Sequence, residues 1–314
     1  MVRGVLPVTR VTKRSAVPAS QEICAVSIVV VHYETPTRLA NCLRSIALAS
    51  ASVPVEVLVI DNASQSFDPE AVTQALPNAI VIRNAGNVGF ARAANQGLRQ
   101  AAGRYLLLLN PDTVLAPDSL ERMVEYMDAH RDVGLATARL VLANGHLDLA
   151  CRRSFPTPVR SFYRVTLLSR LFPKSRRFAQ YNLTYLDEFA ETEIDAPCGA
   201  FMFVRSQVRK QVGLLDERYF MYGEDLDWSY RIKNAGWKVM YAPVTTVTHF
   251  KGSSSRQSRI PTIRAFHHAM RLFYGRWYEA RYPRVVSWLT YGAINAREVL
   301  ELASARISER RARV

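Results

Sequence analysis

The chain has 314 residues, 49% of them hydrophobic, with 41 Lys and Arg against 27 Asp and Glu and so a formal charge of +14. This suffices for one large folded unit, or one with an added lobe, and the charge points to an anionic partner: nucleic acid, a membrane surface or a phosphorylated substrate. The composition argues against a membrane-spanning helix, since no apolar run approaches roughly 18 residues, and against a secretory signal, since no apolar stretch follows the basic N-terminus. It also argues against a cysteine metal knuckle, because Cys24, Cys42, Cys151 and Cys198 are scattered; such sparse thiols read as small buried hydrophobes in a reducing, cytoplasmic setting.

Residues 1–22 are basic, proline-bearing and aperiodic, and read as a flexible arm. Residues 25–32 (AVSIVVVH) are apolar enough for a strand buried on both faces. They end at Tyr33-Glu34-Thr35-Pro36, with Thr37 the expected cap of a helix in which Leu39, Leu43, Ile46 and Ala47 share a face. Residues 55–60 read as a second strand, stopping at Asp61-Asn62-Ala63-Ser64. Asp68-Pro69-Glu70 opens another helix, and residues 79–82 form a third strand.

Residues 86–113 (GNVGFARAANQGLRQAAGRYLLLLNPDT) organise what surrounds them. Gly86, Asn87 and Gly89 make a tight turn. Phe90, Ala94 and Leu98 then recur at helical spacing, Gly103 is the expected helix stop, and residues 105–109 are a continuous apolar strand. That strand stops at Asn110-Pro111-Asp112-Thr113. A helix over 117–129 and a strand over 133–138 follow. This alternation predicts an α/β fold with a doubly wound, mostly parallel sheet. Ligands of such sheets bind beyond the carboxyl ends of the strands, so Tyr33, Asp61, Asn84 to Asn87 and Asp112 gather in one crevice, with Asp112 placed for a metal or diphosphate. Asn-Pro-Asp is also ordinary turn chemistry. A Rossmann dinucleotide site is the rival, weakened by the absence of GxGxxG after the first strand.

In the second half, residues 151–180 combine many arginines, no acid and several aromatics, as a solvated loop or an interfacial segment would. Residues 195–205 (DAPCGAFMFVR) read as a turn and strand, and 207–212 as a short helix. Gly223-Glu224-Asp225 opens a helix with Leu226 and Tyr230 inward; its first-turn acids also suit the helix dipole. Asp227 and Arg231 are spaced for a solvated i,i+4 pair. Gly236 ends the helix, residues 237–241 form a strand, and Trp228 and Trp237 are expected in the core. His249 follows a Thr- and Val-rich run, and from residue 263 the chain reads as basic amphipathic helix. The chain shows no recognised nucleic-acid motif.

GNVGFARAANQG, LLLNPDT, CGAFMFVR, GLLDERYFMYGEDLDWSYRIKNAGWKV and the later His249, in that order, resemble glycosyltransferase family 2 in its rhamnosyltransferase-like branch, over residues 25–255. The resemblance implies a GT-A fold and inverting transfer, with a catalytic domain at 23–255: a nucleotide-binding half at 23–139, an acceptor half at 140–255, then a basic helical extension at 256–314. It implies a nucleotide-sugar donor such as dTDP-rhamnose, and a divalent Mg or Mn ion held by Asp112 with His249 as second ligand; Asn110 stands where the family's DxD motif has its first Asp. Asp225 is the implied general base, with Glu224 as the alternative or as an acceptor-binding partner. Asp61 and Tyr33 would meet the base, with Asn84, Asn87 and Phe90 near base or ribose; Glu34 replaces an Asn usual in the first loop. Gly199 and Ala200 would let a sugar diphosphate approach the backbone, or merely relieve packing. A saccharide acceptor linked to a polyprenyl diphosphate would bring the chain to the inner face of the plasma membrane. The competing readings are a sugar nucleotidyltransferase, disfavoured because no basic, glycine-rich triphosphate loop follows the first strand, and a non-catalytic basic membrane-binding protein.

Overall fold

In the computed structural model, residues 24–251 and 259–311 are described; the expected arm at 1–22 lies outside them. The first half alternates β1 (Val26–His32), α1 (Pro36–Ala49), β2 (Val55–Asp61), α2 (Pro69–Ala75), β3 (Ile80–Arg83), α3 (Phe90–Gln100), β4 (Tyr105–Leu109), β5 (Thr113–Leu115), α4 (Ser119–Ala129) and β6 (Val133–Leu142). The second half carries α5 (Pro158–Val165), α6 (Leu168–Leu171), β7 (Thr192–Glu193), β8 (Phe201–Arg205), α7 (Ser206–Val212), α8 (Glu224–Asn234), β9 (Lys238–His249), α9 (Arg259–Trp277) and α10 (Arg284–Arg311). Among the described residues no helix is long and apolar enough to cross a membrane.

One nine-stranded sheet runs β3-β2-β1-β4-β8-β6-β9-β5, with β7 on the side of β9. Strands β3, β2, β1 and β4 are mutually parallel, as their unbroken apolar runs predict. Every residue of β1 and β4 is buried. The surprise is β8, which comes from the second half of the chain and lies antiparallel between β4 and β6. The N-terminal end of β8 therefore meets the C-terminal end of β4, where Asn110 N–H donates to the Ala200 carbonyl at 3.1 Å.

Several local expectations give way. Thr35, not Thr37, occupies the N-cap of α1, followed by Pro36 in the first turn, and its side chain makes no capping bond. Ala47 is exposed; Cys42 and Ser45 share the buried face instead. Helix α3 stops at Gln100. Gly103 is needed for a different reason: a Cβ there would stand 2.6 Å from the Ser27 amide nitrogen. Leu226, Trp237, Cys24 and Cys198 are half-buried rather than core, the Trp237 indole N–H reaching Gln211 at the surface.

Asp227 is the largest departure. Its pair with Arg231 forms at 2.8 Å, but the carboxylate is fully buried rather than solvated. It also accepts from the Trp277 indole at 2.9 Å and meets Arg276 at 3.1 Å, tying α8 to α9. Around it Phe155, Tyr230, Phe273, Tyr274 and Tyr278 form a second, aromatic core. Removing one partner of a buried charge network leaves the others uncompensated, so Asp227→Ala is expected to cost about 3–5 kcal/mol in a urea unfolding experiment; a cost below about 1 kcal/mol would show that solvent already screens the network.

Candidate functional site

The strand ends assemble the crevice from three clusters. The first sits beyond β1, β2 and β3. The Thr35 N–H donates to His32 Nε2 at 3.1 Å, which places the ring proton on Nδ1, facing Asp61 Oδ1 at 3.1 Å. Ser64 N–H adds a bond to the same oxygen, and Arg83 Nε lies 3.2 Å from Oδ2 without a well-directed hydrogen bond. Burial works to raise the Asp61 carboxyl, but the bonds from His32 and Ser64 outweigh it and hold the group below its ordinary value. Tyr33, the residue after His32, is half-buried. Glu34 turns outward and accepts from the Gln65 and Ser66 amides, closing the neighbouring loop.

Asn62 holds this end together. Its Oδ1 accepts from Asn84 Nδ2 and the Val88 amide, both at 3.1 Å, while its Nδ2 donates to Asn87 Oδ1 at 2.9 Å. Asn87 in turn accepts from the Gly89 amide at 3.0 Å. Gly89 has φ 85°, and a Cβ there would stand 2.6 Å from the Phe220 carbonyl, so only glycine fits. Phe90 N–H donates to that same carbonyl at 2.7 Å, and the Phe90 ring lies about 4 Å from the Cβ that Gly199 lacks. A side chain at Gly199 would make only ordinary contact there, so tight packing does not explain the glycine.

The second cluster is the acidic tip. Strand β5 pairs antiparallel with β9, placing Thr113 opposite His249. His249 Nε2 lies 3.4 Å from Asp112 Oδ1, while Nδ1 lies 2.8 Å from Asp148 Oδ2 and Lys251 reaches Asp148 at 3.0 Å. Burial works to lower His249, but the two carboxylates raise it to about 9. Burial likewise opposes the Asp148 charge, yet His249 and Lys251 hold that carboxyl well below the usual range. Among the described residues no three His, Cys, Asp or Glu side chains converge into a metal cage. Two do face each other: a carboxylate oxygen and an imidazole nitrogen at this spacing can share one hard divalent ion, leaving positions for diphosphate and water oxygens. With Nδ1 hydrogen-bonded to Asp148, Nε2 is the atom that would ligate a metal once the ion displaces the proton it shares with Asp112, the Asp148 carboxylate being the usual support of a metal-binding His. The donor set therefore fits a divalent ion. Asn110, half-buried, contributes its backbone to the β4–β8 junction.

The third cluster opens α8. Tyr222 and Gly223 both adopt left-handed backbone, turning the chain sharply into Glu224. Arg153 donates to Asp225 Oδ2 at 2.6 Å and to the Pro197 carbonyl at 2.5 Å, while the Leu226 amide donates to Asp225 Oδ1. Glu224 is buried, and among the described residues its Oε2 has no partner; burial, with the Asp225 charge adding to it, raises its carboxyl above the ordinary value. Cys198 stands between the second and third clusters: burial pushes its thiol up to about 11, and the charges of Asp148, Arg153 and Asp225 all reach it.

Residues 24–266 match the family model described as glycosyltransferase like family 2. The chain belongs to that family. It is 26% identical over 295 residues, covering 90% of the chain and 95% of its relative, to the N-acetylglucosaminyl-diphospho-decaprenol L-rhamnosyltransferase of Mycobacterium tuberculosis. It is 28% identical over 165 residues to the rhamnosyltransferase WbbL of Escherichia coli, covering 50% of the chain and 56% of that protein. Among solved structures, the mannosyltransferase PcManGT of Pyrobaculum calidifontis superposes with a TM-score of 0.54 at 18% identity over 90% of this chain and 73% of that one. The S. aureus TarS fragment 1–349 gives 0.54 at 15%, over 90% and 72%. The fold is therefore GT-A and the enzyme class glycosyltransferase.

The structure places the residues expected from the sequence at the strand ends and loops of the three clusters above. Sequence reasoning did not single out Asn62, Asp148 or Arg153. A signal existed for Arg153: a cation in a segment without acids, entering the fold, needs an anionic partner from elsewhere. The Asp61 cluster is testable in the absence of any ligand. A carboxylate held below its unfolded value of about 3.9 contributes stability above that value and loses it as pH falls through the folded value. Asp61→Asn is thus expected to be less stable than wild type at pH 7 in urea unfolding, with the gap closing in acid; a gap independent of pH would show that Asp61 acts through shape alone.

Proposed function

We propose that this glycosyltransferase moves rhamnose, with inversion, from dTDP-rhamnose to a saccharide carried on a polyprenyl diphosphate, at the cytoplasmic face of the plasma membrane, in the synthesis of a cell-surface polysaccharide. The observation that carries the sugar and the acceptor is the similarity, over nine-tenths of both chains, to a relative whose name specifies rhamnosyl transfer to a decaprenol-linked N-acetylglucosamine. Family membership favours transfer over the nucleotidyltransferase and non-catalytic readings.

In this reading residues 23–139 hold the nucleotide and residues 140–255 the acceptor. Asp61, whose Oδ2 lacks a directed hydrogen bond, takes an N–H of the pyrimidine base beside Tyr33. Asn84, Asn87 and Phe90 frame the base and ribose, locked by Asn62. Gly199 and Ala200 let the diphosphate lie against the backbone, next to Asn110. A divalent ion held by Asp112 and His249 would neutralise the charge that develops on the departing diphosphate. Asp225 takes the proton of the acceptor hydroxyl, its carboxylate aimed by Arg153, and Glu224 binds the acceptor.

Calorimetry with dTDP-rhamnose, UDP-glucose and UDP-galactose, with and without Mn²⁺, tests the donor half. Selective, metal-dependent binding of dTDP-rhamnose is expected, and Asp112→Ala is expected to abolish the metal dependence. Asp148→Asn should weaken Mn²⁺ binding by ~10–100-fold, since it removes the support of His249. Tighter binding of a UDP-sugar than of dTDP-rhamnose would refute the proposed donor.

The base is tested separately. Asp225→Asn is expected to lower kcat by ~10²–10⁴-fold while leaving donor affinity within error. If Glu224→Gln is the more damaging of the two and Asp225→Asn is mild, the roles are reversed.

A further inference from the structure

Helices α5 and α6 form a short hairpin that the transfer reading leaves without a task. All eight charged residues between Asp148 and Asp187 are cations. Arg152, Arg153 and Arg160 are bonded inside the fold. Arg164, Arg170, Lys174, Arg176 and Arg177 lie further out, and among the described residues none has a carboxylate within ion-pair distance. The same hairpin exposes large apolar side chains: Phe162 at 59%, Val165 at 61%, Leu171 at 69% and Phe172 at 50%. These are not loose ends. Phe172 packs on Phe178 at 5.5 Å, Tyr163 meets Phe178 edge-on at 5.0 Å, and Phe162 touches Tyr163, so the apolar tips are held in place by one another.

We infer that the α5–α6 hairpin is a membrane-docking surface that inserts Phe162, Leu171 and Phe172 among the headgroups of an anionic bilayer while its outer cations meet the lipid phosphates. Apolar tips interleaved with cations and free of acids match the layering of an interface, where acyl chains lie beneath negative headgroups. A second copy of this chain fits less well: a symmetric contact would place two like-charged hairpins face to face. A nucleic acid would satisfy the cations but leave Val165 and Leu171 without an apolar partner. The hairpin hangs from the third cluster of the crevice. Arg153 binds Asp225, Phe155 N–H donates to Asp195, and Arg160 pairs with Asp195 at 3.2 Å just before the outer turn. Docking there would present the acceptor side of the crevice to the bilayer. That functional meaning rests on the lipid-linked acceptor proposed above; vesicle binding is read without donor or acceptor, so the two can fail separately.

The test is co-sedimentation of the full chain with phosphatidylcholine vesicles, with and without phosphatidylglycerol, at low and high salt. Wild type is expected to bind the mixed vesicles, more weakly at high salt and on phosphatidylcholine alone. Arg170→Gln, Lys174→Gln and Arg176→Gln should each lower the partition coefficient by ~5-fold. The pair Phe162→Glu and Leu171→Glu should bring binding to the level of neutral vesicles, with an unchanged thermal melt showing that the variant folds. Unaltered binding in both sets overturns the inference. So does loss of binding through Trp288→Glu and Leu289→Glu in α10 while the hairpin variants bind normally. Loss of self-association in the hairpin variants, without any vesicle binding in wild type, overturns it in favour of a second copy.

Discussion

The crevice depends on one pairing, that of β8 lying antiparallel against β4. Four parallel strands alone would end in loops drawn only from the first half of the chain. By entering in the reverse direction, β8 brings the residues just before it, 198–200, to the tip of β4, and the bond from Asn110 to Ala200 fixes that junction. Everything the second half contributes follows from it. Arg153 bridges Asp225 to the Pro197 carbonyl just upstream of β8, and β9 closes over the other side to set His249 against Asp112.

A chain of net charge +14 places its acids with care. Asp61, Asp148, Asp225 and Asp227 are all buried, and each faces a cation or a histidine. Taking such pairs out of water costs several kcal/mol per ion, and their mutual attraction does little more than repay it. Their worth is geometric. A carboxylate locked by fixed donors keeps its position and needs no reorganisation when charge appears nearby. Glu224 is the exception, a buried carboxyl oxygen with no partner among the described residues. An orphaned acceptor of this kind carries a cost that a bound hydroxyl would relieve.

How much of this was legible depended on whether the signal was local. Strand β4 was read to the residue because five consecutive apolar side chains can only be buried on both faces. The turn at Gly89 was legible because left-handed backbone selects glycine. Strand β6 is longer than the expected 133–138: Arg139 pairs with Glu188 and the strand runs on to Leu142. Strand β9 likewise runs past the expected end at Tyr241, through Pro243, to His249. The insertion of β8 left no trace in periodicity, because a pairing between residues about a hundred positions apart is written in no local window. Asp227 was misjudged for the same reason. Its i,i+4 partner is visible in sequence, but the α9 helix that buries the pair is not.

The site residues divide along the same line. Asp112, Glu224 and Asp225 sit where chain direction changes, and such positions advertise themselves through Pro, Gly and acidic clusters; His249, at the end of a Thr- and Val-rich strand, is singled out only by the family resemblance. Asn62, Asp148 and Arg153 work by reaching across loops, and each looks like an ordinary polar residue until its partner is in place. Arg153 is the most instructive of them. It belongs by sequence to the acid-free segment that continues into the exposed hairpin, yet its guanidinium is spent on Asp225 and the Pro197 carbonyl. Within a few residues the same basic run changes from an internal counter-ion to an outward-facing charge, and Asp195, accepting from Phe155 and pairing with Arg160, marks the hinge between the two. A uniform composition can therefore serve two ends at once, because what a cation does is decided by whether the fold supplies it with a carboxylate.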